Sequence, residues 1–362
     1  MERCVSWLML VMLQLFSTVN SAGDASYSTE MDFSGSGDMN DAFSAQYTFL
    51  NDLAKEIKHL EEKLAEKLEQ KAEEGHNDAK NTKPFHGKAK GFSERKYVGS
   101  IPSSGKILTS GICASRQHPG IVYTVIGAPK DSDSSYDSNI YAYYASNASL
   151  VTKINLDVIN VDWEDIACGP CDTSGLGHCI YISDTGYNRK RPANLIYKIQ
   201  EPQEMLPGRE QSLGEDEIEV IGFETDLENC RALMVSPRGR LFLMDALVKP
   251  GGFHEVVDGE TKHLFDVAFP KESEYDAPCA GDISADGKEF ILKFQEDVFY
   301  WYVENEEDME SVLTDSEQAL VLPYFEESNG KSIAWSLDGA SYFTVSAGEN
   351  EPLFRYDRLS QT

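Results

Sequence analysis

Residues 281–302, GDISADGKEFILKFQEDVFYWY, contain the pattern that decides the fold. A short apolar run leads to an Asp-Gly turn, a second apolar run follows, and a run of aromatic residues completes the stretch. Short runs of this kind, separated by turn residues, are typical of antiparallel sheet. The pattern occurs five times, with anchor residues Ile112, Ile166, Leu233, Ile283 and Ile333. The anchors are 54, 67, 50 and 50 residues apart, which is the repeat length of β-propeller blades.

The repeats predict an all-β domain over residues 94–362, folded as a five-bladed β-propeller. Four repeats have room for a fourth strand, at residues 150–156, 217–223, 264–269 and 319–322. The last repeat lacks one, and we expect residues 97–101 to supply it and to close the ring, which removes exposed sheet edges. The alternative is a six-bladed propeller with an additional blade in the 67-residue interval.

Two segments at the start of the chain predict export and an unstructured leader. Residues 1–21 combine a positive start, a short apolar run and small residues at the end, the pattern of a signal peptide. Residues 22–43 are rich in Gly, Ser and Asp without any period, which predicts a disordered acidic leader. Ser34 and Ser36 lie there in Ser-Gly pairs beside acidic residues, the pattern of glycosaminoglycan attachment sites.

A helical segment over residues 44–75 precedes the propeller. Its apolar residues are spaced by 3, 4, 3 and 4 positions, which predicts a coiled coil. They are Leu50, Leu53, Ile57, Leu60 and Leu64. The stripe must be covered, either by other copies of the chain or by the propeller, and self-association is the favoured interpretation. A basic linker over residues 76–93 completes an order of segments similar to that of olfactomedin-type proteins, in architecture only.

Six cysteines follow the signal peptide, and an even number in an exported chain predicts disulfides. They are Cys113, Cys168, Cys171, Cys179, Cys230 and Cys279. The sequence leaves the pairing open, although Cys168 or Cys171 is expected to bridge Cys179 across a Gly-rich loop. Cys168 and Cys171 also have the spacing of a redox or zinc motif, but no second such pair accompanies them. Asn147 begins a sequon and is a predicted glycosylation site.

The net charge of −29 excludes one class of partner. Nucleic acids require a basic surface, so nucleic-acid binding is not expected. An acidic surface favours attraction to cations, to basic proteins or to a mineral surface. An extracellular-matrix role, including one in a mineralised tissue, agrees with this charge.

Five short motifs occur in order along the propeller. They are residues 114–120 (ASRQHPG), 161–170 (VDWEDIACGP), 182–188 (ISDTGYN), 280–287 (AGDISADG) and 344–350 (TVSAGEN). The series resembles the ASRRHPG, DWEDIA-GP, GDIGDN, ADISPDG and TVSEGSN motifs of a family of largely uncharacterised secreted propeller proteins abundant in bacteria. The resemblance implies a propeller with a metal or ligand site at the centre of the ring. It implies no known reaction.

The resemblance makes Glu164, Asp165 and Asp282 candidate calcium ligands at this centre. Where the family pattern leads us to expect Glu in the third and fifth repeats, this chain has Arg231 and Lys331. Calcium needs several converging oxygen ligands, and two basic side chains in the same ring would repel it. We therefore expect the two bases to form ion pairs with the acids. Together the five residues are the candidate ligand site of the central channel.

The sequence contains no complete catalytic set. The histidines of the propeller lack metal-ligand spacing, and no G-x-S-x-G motif is present. The favoured function is a secreted, oligomeric, non-catalytic binding protein, without a membrane span, whose partner is an extracellular protein or glycan. A calcium-dependent hydrolase of the phosphatase, esterase or lactonase type is one alternative, and an acidic matrix protein of a mineralised tissue is another. Calcium is the one cofactor considered.

Overall fold

The computed structural model describes residues 91–102, 108–127, 137–186, 193–227, 229–245, 251–269, 278–348 and 350–359. The predicted signal peptide, acidic leader and coiled coil, with Ser34 and Ser36, lie outside the described residues. So does most of the basic linker.

The described residues form five sheets, antiparallel except for one parallel pair at the outer edge of the first sheet, and each sheet is one blade of a propeller. Blade 1 contains β2 (Leu108–Ala114), β3 (Ile121–Gly127), β4 (Asn139–Tyr144) and β5 (Leu150–Leu156). Blade 2 contains β6 (Trp163–Gly169), β7 (Cys179–Asp184), β8 (Asn194–Gln200) and β10 (Ile218–Phe223). Blade 3 contains β11 (Cys230–Val235), β12 (Leu241–Asp245), β13 (Gly252–Val257) and β14 (Glu260–Asp266). Blade 4 contains β15 (Ala280–Ile283), β16 (Glu289–Lys293), β17 (Val298–Tyr302) and β18 (Leu320–Val321). Blade 5 contains β19 (Gly330–Trp335), β20 (Ser341–Ser346), β21 (Pro352–Asp357) and, from the start of the domain, β1 (Lys96–Ser100).

The innermost strands are β2, β6, β11, β15 and β19, and each contacts the next around the ring, with β19 returning to β2. Their residues are almost all buried because a neighbouring blade covers each face of every sheet. This explains why the innermost strands read as short runs of small and apolar residues, while outer strands such as β10 and β14 carry charged residues. The aromatic residues of the repeats, including Trp163, Trp301 and Trp335, fill the space between blades.

The ring is closed by the first strand of the domain, as the sequence predicts. β1 pairs antiparallel with β21, and Lys96 lies opposite Arg355 while Ser100 lies opposite Pro352. Phe92 adds an isolated bridge to Arg358 and is buried against the rings of Trp335 and Tyr342. The first and last strands of the domain therefore lie in one sheet, and β1 completes the last blade as its fourth strand.

The long interval between the second and third repeats holds an additional strand rather than a sixth blade. β9 (Glu210–Leu213) leaves blade 2 and pairs in parallel with β5, at the outer edge of blade 1. A 3₁₀ turn over Glu215–Glu217 then returns the chain to β10. The predicted fourth strands agree with β5 and closely with β10 and β18, whereas β14 begins at Glu260, earlier than predicted.

Two disulfides form among the six candidate cysteines. Cys113–Cys168 joins the innermost strands of blades 1 and 2, and Cys171–Cys179 closes the Gly-rich loop, as expected. Cys168 and Cys171 have different partners, so this pair is not a redox motif. Cys230 and Cys279 are buried, and neither takes part in these two disulfides. The thiol of Cys279 points at the carbonyl oxygens of Lys293 and Gly330, at 3.3 and 3.2 Å, instead of at another sulfur.

The described residues contain one short α-helix. A 3₁₀ turn over Glu306–Asp308 runs into the short helix α1 (Met309–Leu313) in blade 4. No helix within the described part of the chain is long and apolar enough to span a membrane.

Asn147 is exposed in the turn between β4 and β5, and its side-chain oxygen accepts a hydrogen bond from the Ser149 hydroxyl. The sequon is therefore accessible in the folded domain.

Candidate functional site

Three innermost strands carry a β-bulge at the same place and direct a charged side chain at the axis. In β6, β11 and β19 the register of pairing shifts around the second residue of the strand, which is Glu164, Arg231 and Lys331 respectively. A bulge leaves its extra residue out of the ladder and changes the direction of its side chain. We call these three residues the axial charge cluster.

All three side chains meet at one carboxylate oxygen. Nε of Arg231 lies 3.9 Å from Oε2 of Glu164, and Nζ of Lys331 lies 4.0 Å from the same atom. Blades 2 and 5 are separated by blade 1, so the contact between Glu164 and Lys331 passes across the axis. The bases therefore face Glu164, as expected from their position in the repeat.

Burial divides the cluster into a hidden acid and two accessible bases. The side chain of Glu164 is 3% exposed, whereas those of Arg231 and Lys331 are 30% and 26% exposed. With its amide oxygen facing the guanidinium, Asn229 accepts hydrogen bonds from Nε and Nη2 of Arg231, at 3.0 and 3.2 Å. Arg231 is thus held from two sides, and its side chain remains partly exposed to solvent.

Asp165 and Asp282 do not belong to this cluster, because each joins two blades through backbone groups. Asp165 accepts the N–H of the next residue in its own strand and the N–H of Leu233 in blade 3, both at 2.9 Å. Asp282 accepts the N–H of Ile283 in its own strand and the N–H of Trp335 in blade 5, both at 2.8 Å. Burial raises the pKa of both carboxyl groups, that of Asp282 to about 6 and that of Asp165 well above its ordinary value. Their role is to connect neighbouring blades.

The predicted metal site involves three acids whose oxygens have different partners in the structure. The oxygens of Asp165 and Asp282 already accept backbone hydrogen bonds, and Glu164 faces two cations. Within the ranges that the structure describes, no three or more His, Cys, Asp and Glu side chains are arranged to hold a metal ion. A metal site formed by Glu164, Asp165 and Asp282 therefore stays a prediction.

A second acid, Asp162, lies beside Glu164 and was not predicted from the sequence. A β-carbon built on Gly186 would lie less than 3.0 Å from carboxylate oxygens of both Asp162 and Glu164. Asp184 accepts the backbone N–H groups of Val161 and Asp162, at 3.1 and 2.9 Å, and so fixes the segment before β6. The ISDTGYN motif thus contributes Asp184, which holds the segment before β6, and Gly186, which leaves room for the carboxylates of Asp162 and Glu164.

Gly186→Ala is expected to destabilise the domain by about 1–3 kcal/mol, the usual cost of inserting a methyl group into a filled site. The new methyl group would displace Asp162 or Glu164, both of which are almost completely buried. Gly222→Ala is the matched control in the same blade, because a β-carbon there would meet only Leu195 at 3.7 Å. Urea unfolding of the two variants measures the difference. Equal stability of the two variants would contradict the described packing around Gly186.

Comparison with known proteins adds little to this geometry. No protein-family model matches the chain, and no curated protein matches it. Similar solved structures include the PQQ-bound aldose sugar dehydrogenase from Streptomyces coelicolor, which is 10% identical over 74% of this chain and 98% of that chain, with a TM-score of 0.41. A protein assigned as a gluconolactonase is 11% identical over 76% of this chain and 97% of that chain, with a TM-score of 0.41. A streptogramin B lyase is 11% identical over 69% of this chain, with a TM-score of 0.34, and the chain spans 65% of its length. At such identities and TM-scores these likenesses carry no information about function, and the propeller is established by its own five sheets.

Proposed function

We propose that this protein is a non-catalytic extracellular binding protein whose propeller receives an acidic group of a protein or glycan partner at the axial charge cluster. The difference in exposure within the cluster carries the proposal. The acid is buried and the bases are accessible, so the cluster offers positive charge to solvent. In a chain with a net charge of −29, such a place is selective for a ligand that brings one anionic group to one position.

The arrangement of the two bases suits a carboxylate or a sulfate. Both cationic groups lie within 4.0 Å of one atom of Glu164, so one bound anion could contact both of them. The planar guanidinium of Arg231 presents paired donors, and the ammonium of Lys331 is a compact point charge. Charge-assisted hydrogen bonds of this kind are stronger than neutral ones. The proposed self-association through residues 44–75 would present several propellers at once and increase the avidity.

An array of acidic glycans and acidic peptides tests the proposal. The glycans should carry uronic acid, sialic acid or sulfate, and the secreted full-length chain is the probe. We expect Arg231→Ala/Lys331→Ala to lose binding at least about tenfold, as removal of two charged contacts implies. Lys198→Ala is the matched control, because Lys198 pairs with Glu219 at 2.6 Å on the outer strands of blade 2, away from the axis. Binding that is equal in the wild type and the double variant would refute the proposal.

A hydrolase of the phosphatase, esterase or lactonase type is the second candidate. The observation in its favour is the pair of buried acids, Asp162 and Glu164, whose carboxylates converge beside Gly186. Paired carboxyl groups in one site can act as acid and base or can contribute ligands to a metal ion. p-Nitrophenyl phosphate, p-nitrophenyl acetate and gluconolactone, each with and without calcium, are the test substrates. Turnover that Glu164→Gln abolishes would favour this candidate over the binding protein, and absence of turnover on all three would count against it.

A further inference from the structure

We propose that the propeller has a second ligand site, at the end of the axis opposite the axial charge cluster, which binds a small organic carboxylate through Arg116. The innermost strands begin at the axial charge cluster and end at this site, which we call the Arg116 pocket. Its lining includes Arg116, Pro170, His178, Val235, Ala285 and Leu337. These residues come from all five blades, and only a place on the axis can be reached by all five.

Arg116 is fixed at the floor of the pocket by groups from other blades. Its Nε donates to the carbonyl of Cys168 in blade 2 at 3.0 Å, and its Nη2 donates to the carbonyl of Ile283 in blade 4 at 3.1 Å. Nη2 also lies 3.9 Å from Oδ1 of Asp282, and the side chain is only 9% exposed. The guanidinium therefore crosses from blade 1 toward the opposite side of the ring and cannot turn away to solvent.

One nitrogen of this fixed guanidinium still needs an acceptor. Nη1 of Arg116 is buried and has no hydrogen-bond partner among the residues that the structure describes. A guanidinium carries five N–H donors, and a buried donor without an acceptor is costly. Arg116 lines the pocket. In the proposed complex a ligand oxygen accepts from Nη1, while the contacts of Nε and Nη2 remain in place.

The chemistry of the pocket selects the class of ligand. A cavity of about 290 Å³ admits a small molecule but not a polymer chain. Pro170, Val235 and Leu337 form an apolar wall that favours an apolar body on the ligand. A single negative charge is favoured over two, because Asp282 already places a carboxylate 3.9 Å from the guanidinium. His178 is exposed at the rim and offers a second polar contact.

Benzoate is a suitable probe, and benzamide is its uncharged counterpart. We expect benzoate to bind the full-length chain saturably, in the millimolar range usual for so small a molecule, when measured by calorimetry or ligand-observed NMR. Benzamide should bind at least about tenfold more weakly, because its neutral carbonyl oxygen accepts from Nη1 without the ion-pair attraction that a carboxylate adds. Arg231→Ala/Lys331→Ala should bind benzoate as the wild type does, which separates this site from the axial charge cluster.

Two variants test the location. Arg116→Gln removes the donor, but it also removes contacts between blades and can impair folding. Ala285→Phe fills the pocket from an exposed position and leaves every contact of Arg116 in place, and Ala193→Phe is the matched control at an exposed alanine that does not line the pocket. We expect Ala285→Phe to weaken benzoate binding at least tenfold and Ala193→Phe to leave it unchanged. Failure of the wild type to bind benzoate, equal binding of benzamide, or unchanged binding in Ala285→Phe would each overturn the proposal.

Discussion

A chain that begins at Ile101 is expected to be less stable than one that begins at Phe85 by about 5 kcal/mol or more, from lost strand pairing and lost aromatic burial. The shorter chain lacks β1, whose ladder with β21 closes the ring. It also lacks Phe92, which is buried against the rings of Trp335 and Tyr342. Ile101 is kept in both chains because it belongs to the core shared by blades 5 and 1.

Denaturant unfolding of the two purified chains, each exported behind the same signal, measures this difference. The shorter chain should also self-associate, because the outer edge of β21 becomes an unpaired strand edge. Light scattering detects that association. Equal unfolding midpoints for the two chains would show that β1 does not close the ring.

Removal of the Cys113–Cys168 disulfide is expected to cost about 4 kcal/mol, the usual loss for a crosslink that encloses a long segment of chain. The bond joins cysteines 55 positions apart, and it connects the innermost strands of two blades. Alanine at both positions is the suitable change, because Cys113 and Cys168 are buried and a hydroxyl would need a partner. The reason for the loss is that the unfolded chain gains conformational freedom when the crosslink is absent.

The second disulfide supplies the matched control. Cys171 and Cys179 are only 8 positions apart, so their replacement by alanine should cost less, about 2–3 kcal/mol. Thermal and urea unfolding of the two double variants gives both values under the same conditions. A larger loss from the shorter loop would contradict the view that chain crosslinking, and not local packing, is the main contribution.

The sequence was sufficient for the blades because each one repeats the same alternation of strand and turn. The anchors from Ile112 to Ile333 all lie in innermost strands, and the missing fourth strand of the last blade was found at the start of the domain. The pairing of β9 with β5 could not be predicted, because β5 belongs to an earlier blade and a pairing between distant segments leaves no local sequence pattern. The 67-residue interval between Ile166 and Leu233 was therefore also long enough, on sequence alone, for a sixth blade.

The site was predicted only in part, because its contacts join residues that are distant in sequence. The position of Arg231 and Lys331 in the repeat was enough to place them opposite Glu164. The hydrogen bond that Asp165 accepts from Leu233 of the next blade could not be predicted, because it leaves no pattern within one strand. Arg116 was part of a recognised motif, but only the assembled ring shows that its guanidinium reaches blade 4.

The calcium response of thermal unfolding, compared between the wild type and Glu164→Gln, tests the central claim that the axis holds a charge-compensated cluster. A ligand that binds only the native state stabilises it by about 2.7 kcal/mol when its free concentration is about 100 times its dissociation constant. Because Arg231 and Lys331 already compensate Glu164, we predict that millimolar calcium changes the unfolding temperature of both proteins by the same amount. A calcium-dependent rise in the wild type that Glu164→Gln removes would contradict this account and would place a metal ion at the axis.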